Sequence, residues 1–178
     1  MKASERDSIE ATMTVVVDTR EQDTDALHRR LRNMGIPFVR EKLPFGDYSA
    51  RFVQGEARQL PACIERKMSV DELATCFTKD RERFEREMER CKAAGWKMWI
   101  IVENASWENI YAGKYRSLVK PVSLVGSILR WSIRYNINFV FCKEESCGTL
   151  IGDILRRELR EFLIREDENG GISERTEI

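Results

Sequence analysis

Short apolar segments typical of buried β-strands alternate along this chain with longer segments in which apolar residues recur at helical spacing. The strand-like segments lie at residues 14–18, 62–68, 97–102 and 137–142. A segment with helical periodicity follows each of them, at residues 26–34, 73–91, 122–135 and 150–164. One early meander, residues 36–43 and 48–53, interrupts the alternation. This order predicts an α/β fold in which helices flank a mixed sheet.

The length of 178 residues fits one domain, which we place at residues 13–164. Residues 1–12 are polar and unpatterned and are predicted to form a flexible N-terminal tail, and residues 165–178 a disordered acidic C-terminal tail. The first ten residues lack the apolar region of a secretory signal, and no apolar run approaches the roughly 20 residues that cross a bilayer. The sequence therefore predicts a cytoplasmic protein with no membrane partner.

The cysteine and histidine content excludes two common kinds of site. Five cysteines contain no Cys-x-x-Cys pair, and His28 is the single histidine. A zinc ribbon needs ligands paired at short spacing, and a histidine triad needs an imidazole as its base. Carboxylates, lysines or a bound metal ion must therefore carry any chemistry.

Acidic residues stand at or near the ends of three of the predicted strands, with one lysine beside them. Glu65 and Lys67 lie two residues apart on a strand, so that their side chains project to the same side. Alone, they would be an ordinary surface pair. Asp47 begins a neighbouring strand, and Asp18 and Glu21 follow the first one. Hard oxygen ligands of this kind favour Mg²⁺ or Mn²⁺, which predicts a hydrolytic metal site.

Three motifs in a fixed order resemble those of the XPF-type nuclease family. They are Val-Asp-Thr-Arg-Glu at residues 17–21, Leu-Pro-Phe-Gly-Asp-Tyr at 43–48, and Ile-Glu-Arg-Lys-Met-Ser-Val-Asp at 64–71. That family belongs to the restriction-endonuclease-like PD-(D/E)xK superfamily, and the layout looks like its small stand-alone members of bacterial or phage kind. The resemblance implies a restriction-endonuclease-like α/β/α core with a mixed sheet.

The resemblance also implies roles for single residues. Asp47 and Glu65 would be metal ligands, with the Arg66 carbonyl as a third, and Lys67 would be the catalytic lysine. Asp18 and Glu21 would be further catalytic acids, Glu21 reaching the metal through water. Three other motif residues would either brace the acids or contact phosphate: Arg20 and Arg66, which we assign to DNA binding, and Asp71, which we assign a supporting role. Arg83 occupies the place of an arginine in the family's following helix, and we assign it to DNA binding as well.

The charges, although balanced overall at 30 basic and 30 acidic residues, are unevenly distributed. Residues 111–143 contain six basic residues and no acid. Aromatic residues lie between these cations, which is typical of surfaces that contact phosphates and stack on bases. Within this segment we assign Lys114 and Arg116 to DNA binding. Trp131 and Tyr135 are better explained as core residues of an amphipathic helix, because aromatic residues of helices usually pack inward.

These observations predict a Mg²⁺- or Mn²⁺-dependent DNA endonuclease that acts on flapped, forked or branched DNA. Two alternatives stay open: a catalytically silent DNA-binding or scaffold subunit of the same fold, and a nuclease of unbranched duplex DNA. A homodimer is a further expectation, because amphipathic helices at residues 122–135 or 150–164 could pack on a second copy.

Overall fold

The structure, a computed structural model, describes the backbone of residues 1–173 and the side chains of residues 1–168. Its strands are β1 (Thr14–Val17), β2 (Phe38–Arg40), β3 (Tyr48–Gln54), β4 (Glu56–Lys67), β5 (Lys97–Glu103) and β6 (Asn138–Cys142). They form one mixed sheet in the order β2-β1-β3-β4-β5-β6. β3 is antiparallel to both β1 and β4, whereas the outer pairs β1–β2, β4–β5 and β5–β6 are parallel.

Helices cover both faces of this sheet. They are α1 (Ala3–Glu10), α2 (Asp25–Met34), α3 (Val70–Cys76), α4 (Arg81–Ala93), α5 (Trp107–Tyr111), α6 (Pro121–Tyr135) and α7 (Glu144–Ser173). Apolar residues of α1, α2 and α7 pack on one face, and those of α3, α4, α5 and α6 on the other. Two cores thus enclose the sheet, which confirms the predicted α/β fold with an α/β/α core.

The β3–β4 hairpin connects the second and third motifs of the sequence. Gly55 turns the chain at its tip with a φ of 72°, a conformation that glycine adopts without steric cost. The strand register shifts between Ser49 and Arg51, opposite the part of β4 that contains Pro61, a residue with no N–H to give to the ladder. The segment between the second and third motifs therefore forms most of this hairpin.

The segment after β4 is divided into two helices rather than one long helix. Ser69 accepts a hydrogen bond from the Glu72 backbone N–H and begins α3, which ends at Cys76. A short turn follows, and α4 begins at Arg81. The break falls next to the charged residues 79–83, within the segment of helical spacing at residues 73–91.

Both ends of the chain differ from the predicted tails. Residues 3–10 form a helix whose Ile9 is buried in the core, and Asp7 and Glu10 pair with Arg160 of α7. A single buried apolar residue leaves no periodic pattern, so this helix was not visible in the sequence. α7 continues beyond residue 164 to Ser173, and residues 174–178 of the predicted acidic tail lie outside the described residues.

Within residues 1–173, no helix is both long enough and apolar enough to cross a membrane.

Candidate active site

Asp47 and Glu65 face each other across the open end of the β3–β4 hairpin. The last paired residues there are Tyr48 and Ile64, and Asp47 and Glu65 stand one position further along each strand. The Asp47 N–H donates to the Ile64 carbonyl oxygen at 2.8 Å, and the Arg66 N–H donates to Asp47 Oδ2 at 2.8 Å. These bonds hold the Asp47 carboxylate against β4, next to the position of Glu65.

Gly46 explains why a glycine precedes this aspartate. Its φ is 66°, which favours glycine, and an added Cβ would lie 2.8 Å from the Ile64 carbonyl oxygen. Only a residue without a side chain lets the turn approach β4 closely enough for Asp47 to bond with Arg66.

The negative charges of Asp47 and Glu65 repel each other. Burial, followed by the charge of Glu65, raises the pKa of Asp47 well above its usual value. Burial likewise raises the pKa of Glu65, and the Lys67 ammonium only partly offsets this effect. Two half-buried carboxylates that face one another are stabilised by a cation, so the donor set fits a hard divalent ion.

Two carboxylates do not complete a metal site by themselves. Among the described residues, no group of three or more histidine, cysteine, aspartate or glutamate side chains is arranged to hold a metal ion. A divalent cation at Asp47 and Glu65 would therefore need further oxygen ligands, such as a backbone carbonyl, water or substrate phosphate.

Lys67 is held as an ammonium ion beside Glu65. Its Nζ donates to Glu65 Oε1 at 2.6 Å, lies 3.9 Å from Glu72 Oε1, and sits 4.8 Å from the centre of the Phe84 ring. Burial lowers the pKa of Lys67, but Glu65 and the other acidic groups more than offset this, so the pKa lies above its usual value. The side chain is therefore a fixed positive charge and a hydrogen-bond donor, not a base.

Asp18 is fully buried, and its carboxylate is already bonded on both oxygens. Oδ1 accepts from the backbone N–H and the Nε of Arg20, both at 2.7 Å, and Oδ2 accepts from the Leu43 N–H at 2.7 Å. Burial raises the pKa of Asp18, but the Arg20 and Leu43 donors prevail and lower it. The Asp18 backbone N–H donates to the Asp47 carbonyl oxygen at 2.8 Å. Asp18 thus joins the end of β1 to the second motif.

Glu21 also lies in the interior, where two side chains of the protein hold it. Its Oε2 accepts from Arg30 Nη2 at 3.3 Å and from the Tyr48 hydroxyl at 3.1 Å. Its charge still acts on Asp47, because it contributes to the raised pKa of that carboxyl.

Arg30 and Glu103 are buried charged residues of this region for which the sequence suggested no role. Arg30 is 4% exposed, and its Nη1 lies 3.7 Å from Glu103 Oε1 but makes no hydrogen bond. Glu103 also accepts from Arg66 Nε at 3.0 Å. The sequence did carry a signal for Arg30, because it stands on the same face of α2 as the buried Leu27 and Met34.

The ERCC4 domain family model matches residues 17–150, a range that contains all three motifs. The chain belongs to the ERCC4 domain family. Its fold is similar to that of XPF from Aeropyrum pernix, with a TM-score of 0.60 and 23% identity over 86% of this chain and 69% of that chain. A structure of XPF from Aeropyrum pernix in complex with DNA gives a TM-score of 0.56 and 24% identity, over 81% of this chain and 63% of that chain. No curated protein matches the chain significantly.

These findings confirm the resemblance to XPF-type nucleases. In the described part of this ERCC4 domain, Asp47, Glu65 and Lys67 lie together. Asp18 is bonded to the backbone of Asp47, and Glu21 is close enough for its charge to act on Asp47. At the identities found, the likeness to the solved structures is one of fold, so the roles of individual residues remain predictions.

The arginines and lysines predicted to bind DNA differ in how exposed their side chains are. Arg66 is held in the interior by Glu103, which corresponds to bracing the acids and not to contacting phosphate. Arg20 is largely exposed but bonded to Asp18. Arg83 is exposed on α4, 3.8 Å from Asp80, and Lys114 and the 94% exposed Arg116 lie on the segment between α5 and α6.

Asp71 stands apart from the paired carboxylates. Its Oδ1 accepts from the backbone N–H groups of Arg116 and Ser117, at 2.7 and 2.6 Å. The structure therefore joins Asp71 to the segment that carries the predicted DNA-binding residues.

Replacement of Asp47 by asparagine is expected to stabilise the protein when no divalent cation is present, and more so at high pH. Because its pKa is raised in the folded state, the native protein binds more protons than the unfolded chain between the two pKa values, and stability falls as pH rises through that range. Asparagine keeps the acceptor for Arg66 and removes the charge.

Urea denaturation with a chelator at about pH 5 and about pH 8 measures this difference. Asp153→Asn is the control, since Asp153 is exposed on α7 and its loss should have a small effect that hardly varies with pH. A variant no more stable than the wild type at the higher pH would contradict the electrostatic account.

Proposed function

We propose that this ERCC4 domain is a divalent-metal-dependent DNA endonuclease. The observation that carries the proposal is the pair of half-buried carboxylates, Asp47 and Glu65, with the Lys67 ammonium bound to Glu65. A cation relieves the repulsion between the two acids, and a fixed positive charge next to them suits a reaction in which a phosphate gains negative charge. Membership of a nuclease-type domain family supports this reading.

The proposed roles follow from the contacts of each side chain. Asp47 and Glu65 would hold the cation, with the Arg66 carbonyl as a further ligand. When bound, Mg²⁺ or Mn²⁺ supplies a Lewis acid next to the scissile phosphate. Lys67 orients Glu65 through its 2.6 Å hydrogen bond and offsets the charge that develops on the phosphate. Attack of water on phosphorus breaks the bond to the 3′ oxygen, which takes a proton and leaves 5′-phosphate and 3′-hydroxyl ends.

The buried ion network would keep these groups in place. Glu21 is bonded to Arg30 and Tyr48, and Glu103 to Arg66. Tyr48 and Arg66 each adjoin one of the two proposed ligands in the chain. Glu21 and Asp18 would thus act by positioning and by their charge, because the negative charge of Glu21, which raises the pKa of Asp47, would also favour a cation bound there.

We further propose that the substrate is flapped, forked or branched DNA. The exposed cations between α5 and α6, Lys114 and Arg116, suit contacts with the phosphate backbone. One of the similar solved structures, XPF from Aeropyrum pernix, is a complex with DNA. A protein that contacts phosphates on more than one arm can distinguish a branch from a linear duplex by shape.

A cleavage panel tests the proposal. Labelled flap, fork, four-way junction and linear duplex are incubated with Mg²⁺ or Mn²⁺ and the wild-type protein or Asp47→Ala. We expect nicking of the branched substrates by the wild type, and none by Asp47→Ala or in the presence of a chelator. Equal cleavage of linear duplex would favour a nuclease of unbranched DNA, whereas DNA binding without cleavage would favour a silent subunit.

We propose a homodimer that forms through the outer face of α6. Val122 and Ile133 are 76% and 83% exposed on this helix, and Leu129 is 48% exposed between them. Gly126 lies on the same face, with open space where a Cβ would point. Exposed apolar stripes of this kind are typical of surfaces that bind another protein.

Ile133→Glu is therefore expected to shift the protein towards the monomer in sedimentation velocity, with little change in its free energy of unfolding. Val53→Glu places the same charge on an apolar side chain that is 46% exposed near the tip of the β3–β4 hairpin, and it should leave the association unchanged. A wild-type protein that is monomeric at the highest concentrations measured would reject the proposal.

A further inference from the structure

The carboxylate of Asp71 holds a loop that is distant in sequence. Its Oδ1 accepts two consecutive backbone N–H groups, from Arg116 at 2.7 Å and from Ser117 at 2.6 Å. Successive N–H groups that converge on one anionic oxygen form a strong, charge-assisted arrangement. Asp71 belongs to the first turn of α3, so the bonds join this helix to the segment between α5 and α6, which we call the basic loop (residues 112–120).

The basic loop has an ordered shape of its own. The Tyr115 hydroxyl donates to the Val119 carbonyl oxygen at 2.7 Å, and the Val119 N–H donates to Ser117 Oγ at 3.3 Å. Its three cations, Lys114, Arg116 and Lys120, have exposed side chains, and the loop contains no acid. The loop is thus a preformed set of positive charges whose orientation depends on where it is attached.

The attachment point is close in the chain to the proposed catalytic lysine. Asp71 follows Lys67 by four residues, and hydrogen bonds fix the turn between them. The Met68 N–H donates to Glu72 Oε2 at 2.7 Å, and the Glu72 N–H donates to Ser69 Oγ at 3.3 Å. A rigid turn therefore links the end of β4, which carries Lys67, to the anchor of the basic loop.

We propose that Asp71 is a positioning residue that fixes the basic loop relative to the Asp47–Glu65–Lys67 site, so that the loop guides the DNA backbone towards it. The inference rests on the proposed function and adds to it the residue that couples DNA binding to the site. A loop already held in its binding geometry loses less conformational freedom on association. Without the anchor, DNA would have to orient the loop relative to the site as it binds.

The direction in which DNA affinity changes when Asp71 is replaced distinguishes a positioning role from a purely electrostatic effect of its charge. Asp71 Oδ2 lies 3.7 Å from Arg116 Nε, so the carboxylate places a negative charge beside a cation proposed to bind phosphate. Removing that charge should tighten DNA binding if only the local potential matters. If Asp71 positions the loop, removing it should weaken binding.

DNA binding in the absence of divalent metal provides the test, because no cleavage is then needed. Fluorescence anisotropy with a labelled fork is measured for the wild type, Asp71→Ala and Asp71→Asn over a range of salt concentrations. We expect roughly tenfold weaker binding for Asp71→Ala, and a salt dependence whose slope falls by about 1 to 2 as phosphate contacts of the loop are lost. Asp71→Asn keeps the acceptor oxygen and should recover most of the affinity.

Two further variants complete the design. Glu108→Ala removes another exposed acid, from α5, and should leave binding unchanged or tighten it. Arg116→Ala should weaken binding in the wild type but have less than a twofold effect in Asp71→Ala, because the loop is already displaced. Full additivity of these two substitutions would overturn the proposal.

The remaining outcomes separate the inference from the proposed function. Unchanged or tighter binding by Asp71→Ala, with an unchanged salt slope, overturns the positioning role while the nuclease proposal stands. A wild-type protein that binds no DNA overturns both. If Asp71→Ala does not fold, amide hydrogen exchange in the wild type decides: rapid exchange at Arg116 and Ser117 would contradict the anchor, and slow exchange, lost in a folded Asp71→Ser variant, would support it.

Discussion

Lys67→Met is expected to lower the cleavage rate at saturating DNA by about 10²- to 10³-fold, the usual effect of removing a charge that stabilises a transition state. Methionine is similar in length and keeps the packing against the Phe84 ring, so the fold should persist. Removal of the ammonium leaves the Asp47 and Glu65 carboxylates in place with more uncompensated negative charge. The affinity of the site for a divalent cation should therefore be retained or increased.

Single-turnover cleavage and Mn²⁺ titration calorimetry together measure these two effects. Lys97→Met is the matched control, because Lys97 begins β5, the neighbouring strand, and its Nζ donates to the Asn136 carbonyl oxygen at 2.9 Å. This control should cleave at the wild-type rate. A wild-type rate in Lys67→Met would reject the assignment of the catalytic lysine, whereas loss of Mn²⁺ binding would place Lys67 among the groups that organise the ligands.

Arg30→Met is expected to destabilise the protein by about 3–5 kcal/mol, the largest effect on stability that we expect from a single substitution here. The Arg30 side chain is 5% exposed and lies between two acids, Glu21 at 3.3 Å and Glu103 at 3.7 Å. Without it, both carboxylates remain in the interior with less positive charge near them. Removing one member of a buried ion network is costly for this reason.

Urea denaturation of Arg30→Met and Arg29→Met compares a buried arginine with its exposed neighbour in the chain. Arg29 pairs with Glu144 on the surface, where both side chains are about half exposed, and its loss should cost about 0–1 kcal/mol. Arg30→Lys keeps a positive charge and should recover part of the stability. If Arg30→Met were no less stable than Arg29→Met, the network would not be a stabilising element.

The sequence predicted those parts of the fold and site that depend on short stretches of chain. Strand–helix alternation specified the three layers, and the positions of Asp47 and Glu65 at the adjoining ends of two strands specified their proximity. Both residues belong to one hairpin, so a local pattern is enough to bring them together. The same holds for Lys67, which lies two residues from Glu65 on the same strand.

Contacts between distant segments could not be predicted in this way. Asp71 bonds to Arg116 and Ser117, which lie more than forty residues further along the chain. No residue pattern in either segment indicates this contact. Helix α1 is fixed by Ile9 and by pairs with Arg160, too few residues to create a periodic pattern. Of these residues, Arg30 could have been recognised from the sequence, because it is a charged residue on the apolar face of an amphipathic helix.

The β3–β4 hairpin determines where this protein can accept additional sequence. The proposed ligands lie at its open end, the tip at Gly55 lies at the opposite end, and the register shift between Ser49 and Arg51 separates the two halves. Residues inserted at the tip would lengthen a peripheral protrusion without altering how Asp47 and Glu65 are juxtaposed. A deletion of one residue between Gly46 and Ser49 would instead move the following side chains of β3 to the opposite face of the sheet.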